Sequence, residues 1–303
     1  MPASTSPPEG RKLKILMLHG YTQSGATFEI KTKALKKSLQ KHFPPAPAAG
    51  HLKAYPGGLE LIYPTAPLKL VPNDIPGYDV DGAAAKHGEA DQIEAYGWWR
   101  RRGDAEPFTY EGMEIGLAHL AQVISDSGPF DGALGFSQGG ALAGMLASLL
   151  EPGRRGAFEA AQRDRGGMGY PEAFVKDSGF LEDVVQEPLK FAVSYSGFGA
   201  STNALYQAYY EPGIRTPMMH FLGSVDTVVS EERSLRLVEA CVGGRGKEGG
   251  VQRVVYHPGG HFLPSSGKVY VAALVGFVRE VLGEEGSGQK GKEAGVEDME
   301  MPF

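Results

Sequence analysis

Cysteine is nearly absent: Cys241 is the single one in 303 residues, so no disulfide framework can form within one chain. It falls in a predicted helix beside Leu237 and Val238, where packing is its expected role. No apolar run approaches the ~20 residues that a membrane span needs. Met1 to Gly10, rich in Ser and Pro, lacks the apolar stretch of a signal peptide. A basic excess is missing too. The formal net charge of −6 provides no field to recruit nucleic acid or an anionic membrane, and Arg100-Arg101-Arg102 reads as a short solvated loop. No pair of histidines with a carboxylate has metal-ligand spacing, and His220 lies inside a predicted strand as a core residue. Neither a metal nor any other cofactor is expected. No internal repeat is present. What these absences leave is a cytoplasmic globular enzyme, 42% hydrophobic and 22% charged, long enough to bury one large core.

The informative stretch is Gly135-Phe136-Ser137-Gln138-Gly139. Before it, Phe130 to Phe136 reads as an apolar strand entered through a Gly128-Pro129 turn. After it, Gly140 to Leu150 reads as a helix of small and aliphatic residues. A serine with glycines two residues to either side, between strand and helix, is a nucleophile elbow. Side chains at 135 and 139 would collide with neighbouring backbone. The following helix points its N-terminal N–H groups and positive dipole end at the place where an oxyanion forms. The expected architecture is an α/β fold of the α/β-hydrolase type, a mostly parallel central sheet with helices on both faces and lid-like insertions.

The remaining chain supplies the partners. Lys12 to Gly20 is a continuous apolar run, as a central parallel strand requires, and Ala26 to Lys41 reads as one helix. The backbone N–H of Tyr21, just past His19-Gly20, is assigned as the second oxyanion donor beside that of Gln138, with Thr22 its near neighbour. Leu59 to Pro64 is the next strand, and Tyr110 to Ser127 has helical spacing. Residues 68–97 and 151–186 read as insertions, and Met168 to Phe180 is expected at the rim of the site. Trp98 and Trp99 are read first as packing for the earlier insertion and second as an apolar acyl wall. Strands over Leu189 to Gly197 and Thr216 to Ser224 follow. Asp226, past a strand end and a Gly-Ser turn, is the candidate acid; it is also placed to precede the helix that Ser230 caps. Of two histidines after the last strand, His257 abuts a proline, whereas His261 lies beyond two glycines on a loop able to reach Ser137; His261 is chosen. A helix over Val269 to Leu282 closes the fold. The expected organisation is disorder over 1–11, one catalytic unit over 12–282 and a disordered tail over 283–303.

Ser137, Asp226 and His261 follow the Ser…Asp…His order of α/β-hydrolases. Three stretches carry a closer resemblance: Leu18-His19-Gly20-Tyr21-Thr22-Gln23-Ser24-Gly25, Gly128 through Gly139, and His257-Pro258-Gly259-Gly260-His261. In these the chain resembles the fungal FSH-type serine hydrolases, whose wider relatives include an esterase first named as an ovarian-cancer-associated gene product. The match runs from about Lys12 to Leu282, and Trp98-Trp99 looks like a family feature. The resemblance implies a hydrolase of small-molecule carboxylic esters or thioesters. It also implies, for some members, release of polyketide chains from an acyl carrier protein in fungal secondary metabolism. Ser137, Asp226 and His261 are its implied triad, and Thr22, Trp98, Trp99 and Phe262 the candidates for the acyl pocket. An acyltransferase on the same triad and a catalytically silent binding module are the alternatives.

Overall fold

The computed structural model describes residues 10–77, 94–176, 184–244 and 253–283. The expected disordered ends, apart from residues 10, 11 and 283, lie outside the described residues, as do 78–93 and 177–183 of the two expected insertions.

Six strands form one sheet: β1 (Leu13–Leu18), β2 (Leu59–Ile62), β3 (Gly132–Phe136), β4 (Phe191–Tyr195), β5 (Met218–Gly223) and β6 (Val254–His257). Their order is β6-β5-β4-β3-β1-β2, and every pairing is parallel. Strands β3 and β4 are buried at every residue, as continuous apolar runs demand when helices cover both faces. Helices α1 (Gly25–Lys31), α2 (Lys33–His42) and α7 (Lys268–Val281) cover one face, where Phe28, Leu35, Leu39, Phe277 and Val278 join a core with Ile15, Leu134 and Val193. The other face carries α3 (Met113–Ser127), α4 (Gln138–Leu149) and α5 (Arg154–Arg165), with α6 (Glu231–Glu239) beside β5. All twelve residues of α4 are buried; its glycines and alanines let it lie close against β1, β3 and β4.

The chain leaves β1 toward β2 on one side and later returns on the other side as β3. A crevice opens at such a switch point, outside the carboxyl ends of the strands. Register pairs Leu18 with Gly135 and Gly135 with Ser194, so the loops after β1, β3 and β4 emerge together.

Several sequence expectations need correction. The helix over Ala26 to Lys41 is two helices, broken at Thr32, whose hydroxyl donates to Phe28 O at 2.7 Å and competes with the helical ladder. Arg100–Arg102 is a strand of a small antiparallel ribbon with Thr109–Glu111, not a loop; Arg100 pairs with Asp74 at 2.7 Å and Arg102 with Glu111. The helix expected from Tyr110 therefore starts only at Met113. Residues 151–176 and 184–186 do not rim the cleft at Ser137. Phe158 and Phe174 enter the core instead, and the buried Glu151 binds Arg154 at 2.7 Å and accepts the Arg215 and Thr216 N–H groups. Cys241 lies just past α6, not within it. Burial pushes its thiol up to about 12 and the buried His220 beside it down to about 3, so both stay neutral as packing groups. No helix among the described residues is long and apolar enough to cross a membrane.

Candidate active site

Ser137 joins β3 to α4 with φ +53° and ψ −116°, a conformation rarely taken by a residue bearing a Cβ. Its N–H donates to Tyr195 O at 2.8 Å, tying the turn to β4. Two close approaches explain the flanking glycines. A Cβ on Gly135 would sit 1.9 Å from Gly139 O, and one on Gly139 would sit 2.0 Å from Leu18 O. Neither position has room for a methyl group.

Asp226 stands on the turn after β5. Its Oδ1 accepts the N–H groups of Val228 and Val229, each at 2.9 Å, and its Oδ2 accepts from His261 Nδ1 at 2.7 Å. His261 Nε2 lies 2.9 Å from Ser137 Oγ. An ionised carboxylate only accepts, so Nδ1 carries the proton and Nε2 is left to accept from the serine hydroxyl. Burial by itself raises the Asp226 pKa. The Val229 N–H, the His261 ring and the Val228 N–H outweigh it and hold the carboxyl below its ordinary range. The helix cap at α6 is Ser230, which accepts from Arg233 N–H, so Asp226 is not that cap. The His261 loop is clamped over the Asp226 turn: Ser224 N–H donates to His257 O at 2.8 Å and Val225 N–H to Gly259 O at 3.3 Å. His257 is buried below this loop, its Nδ1 accepting Gly259 N–H at 3.3 Å, and stays outside the relay.

The backbone N–H of Thr22 donates to Tyr96 O at 2.9 Å and is not available to an oxyanion. Those of Tyr21 and Gln138 have no acceptor among the described residues. The Tyr21 loop passes against the elbow, since a Cβ on Gly20 would lie 3.3 Å from Ser137 Cβ.

A buried network braces both N–H carriers. The Gln138 carboxamide accepts Trp98 N–H and donates to Trp99 O, each at 2.8 Å. Trp98 Nε1–H donates to His19 O at 3.0 Å. His19 Nε2 accepts Ala66 N–H at 2.9 Å, so its Nδ1–H donates to Gly20 O at 2.8 Å. Burial lowers the His19 pKa to about 4, which keeps the ring neutral and able to do both. Trp98 and Trp99 are 0% and 1% exposed and do not line the cleft, which corrects their place among the pocket residues. Their backbone holds the elbow. This link was hidden in the sequence because its partners stand 39 and 40 residues apart.

The cleft at Ser137 has a volume of about 540 Å³. Phe28, Ile75, Phe136, Val228, Phe262 and Leu263 belong to its apolar lining, and Tyr21 and Thr22 face it beside His261. A larger cavity of about 800 Å³, against Ile124, Leu150 and Gln186, holds none of the predicted site residues. Among the described residues no three His, Cys, Asp or Glu side chains cluster as metal ligands.

The family model described as Serine hydrolase (FSH1) matches residues 8–273. A Saccharomyces cerevisiae protein named Family of serine hydrolases 3 is 29% identical over 282 residues, spanning 91% of this chain and 86% of its own. Esterase OVCA2 of Danio rerio is 30% identical over 264 residues, 84% of this chain and 91% of its own. The chain spans about half the length of two Schizosaccharomyces pombe relatives, 47% and 51% of theirs. In fold it resembles the crystal structure of Zea mays acyl-protein thioesterase 2, with a TM-score of 0.52 at 18% identity over 92% of this chain and 97% of the other. Because the family match covers most of its length, the chain belongs to the FSH1 family of serine hydrolases.

Proposed function

We propose that Ser137, His261 and Asp226 act as a catalytic triad, with the N–H groups of Tyr21 and Gln138 as oxyanion hole, to hydrolyse carboxylic esters or acyl thioesters of an apolar acyl chain. The observation that carries this reading is the unbroken relay from Ser137 Oγ through the imidazole to Asp226, at 2.9 and 2.7 Å. His261 takes the serine proton as Oγ attacks the carbonyl carbon, and Asp226 stays ionised and stabilises the imidazolium. The tetrahedral oxyanion accepts from the Tyr21 and Gln138 N–H groups, each worth about 10²–10³ in kcat at comparable sites. His261 then protonates the leaving oxygen or sulfur, giving an acyl-Ser137 intermediate. Water, deprotonated by the same imidazole, attacks the acyl carbon and frees the acid and Ser137. The family resemblance points to general acyl ester hydrolysis for some members and, for others, to release of a polyketide chain from an acyl carrier protein. Action in the cytoplasm, by one catalytic unit over residues 12–282, completes the proposal.

Rates on matched oxoesters and thioesters of increasing chain length test the acyl cleft. Each buried methylene adds up to about 0.8 kcal/mol, so kcat/KM climbs about fourfold per methylene, then falls once the cleft is full. A flat profile contradicts the apolar cleft, and the preferred series identifies the leaving group.

The network around the elbow yields a second expectation. Gln138→Leu keeps the backbone N–H but removes the clamp, so kcat falls about 10²-fold while KM moves much less. Trp98 N–H and Trp99 O are left unpaired, each costing roughly 1–3 kcal/mol of stability. Steady-state kinetics beside a thermal melt check both; an unchanged kcat would free the carboxamide from any part in alignment.

A further inference from the structure

Several polar side chains interrupt the apolar cleft; the Thr32 hydroxyl is engaged with Phe28 O, whereas Lys31 and Gln23 serve neither relay nor oxyanion hole. Lys31 is the last residue of α1 and is exposed, and it is the one lysine or arginine among the described lining residues. Glu29, the acidic residue nearest in sequence, pairs with Lys36 at 2.6 Å instead, and among the described residues Lys31 has no ion pair. Gln23 is 8% exposed, and its carboxamide oxygen is buried with no hydrogen-bond partner among the described residues. Its backbone is fixed by a bridge to Tyr96 and by its N–H to Gly20 O at 3.2 Å. The two glutamines at the site thus differ. Gln138 has both ends of its carboxamide engaged, whereas the Gln23 amide can turn about its terminal torsion with no bond to its oxygen to break.

An unpaired cation and an uncommitted amide lining the same cleft are complementary to an anionic oxygen, which accepts from both. We propose that Lys31 and Gln23 are specificity-determining residues forming an anion-recognising subsite. The preferred esters or thioesters then carry a carboxylate on the acyl chain or a phosphate on the leaving group. This inference rests on Ser137 as the nucleophile, since that fixes the cleft as the substrate site. A lysine serving only the C-terminal dipole of α1 gives no such preference.

Two matched substrate pairs separate the sources of charge. One pair is the monoester of a dicarboxylic acid against the same ester with its distal carboxylate methylated. The other is an acyl-phosphopantetheine thioester against the acyl N-acetylcysteamine thioester, which lacks the phosphate. The wild type favours the anionic member of one pair about tenfold in kcat/KM, the value of one charge-assisted hydrogen bond, mainly through KM. The preference shrinks as salt rises, because Lys31 is exposed. Lys31→Met brings the ratio to about one, Lys31→Arg keeps it, Lys31→Glu turns it toward the neutral member, and Gln23→Leu weakens it. Lys37→Met, the same charge loss on exposed α2 surface, leaves the ratio as it was. No preference in either pair, or a preference that survives Lys31→Met, overturns the proposal. Ser137→Ala is run on all four substrates: activity retained there overturns the nucleophile assignment itself, a failure distinct from that of the subsite.

Discussion

Ser137→Ala lowers kcat about 10⁶-fold, the cost of losing the nucleophile in a serine hydrolase, and leaves the fold intact. The substitution removes one oxygen and keeps the Cβ, so the strained backbone at φ +53° changes little. The N–H of residue 137 still reaches Tyr195 O, and α4 stays packed. What disappears is the atom that forms the acyl-enzyme. The oxyanion donors and the cleft remain, and they sustain a residual rate about 10³-fold above water. Single-turnover kinetics beside thermal melts check this. Equal inertness of wild type and variant on every ester would instead favour a silent binding module, and equal activity would move the chemistry elsewhere.

Asp226→Asn is expected to cost about 10⁴ in kcat with little change in architecture. An asparagine oxygen can still accept from Val228 and Val229, as Oδ1 does at 2.9 Å. Its NH₂ then faces His261 Nδ1 and donates, so the imidazole proton shifts to Nε2 and the ring can no longer accept from Ser137. A pH signature accompanies the loss. Burial raises the carboxyl pKa, but the Val229, His261 and Val228 hydrogen bonds lower it to a net value below 3.8. A depressed carboxyl stabilises the fold above its unfolded pKa, and that contribution is lost as pH falls through the folded value. The stability gap between wild type and Asp226→Asn should therefore be widest near neutral pH and close in acid. A gap independent of pH would contradict the hydrogen bonding at Asp226.

What the sequence made legible was whatever local patterning encodes. Fully buried parallel strands read as apolar runs, and the Gly135 to Gly139 spacing reported a steric limit that the structure expresses as contacts of 1.9 and 2.0 Å. Ser137, Asp226 and His261 could be picked out because each follows a strand, and strand ends converge at a switch point. Long-range contacts left no local trace. The Gln138 clamp and the packing of residues 151–176 into the core depend on partners many tens of residues away. The ribbon at Arg100–Arg102 reads as polar surface because its side chains pair with Asp74 and Glu111. Lys31 looked like ordinary helix surface. Its place three residues after Phe28, one turn along the same face, was the available sign that it meets the cleft.

The nucleophile assignment is tested most directly by covalent trapping. The native protein is treated with a fluorophosphonate, and its intact mass and peptide map are measured. A single adduct on Ser137 is expected, forming slowly in Asp226→Asn and not at all in Ser137→Ala. No adduct on the wild type, or an adduct that persists in Ser137→Ala, would contradict Ser137 as the nucleophile.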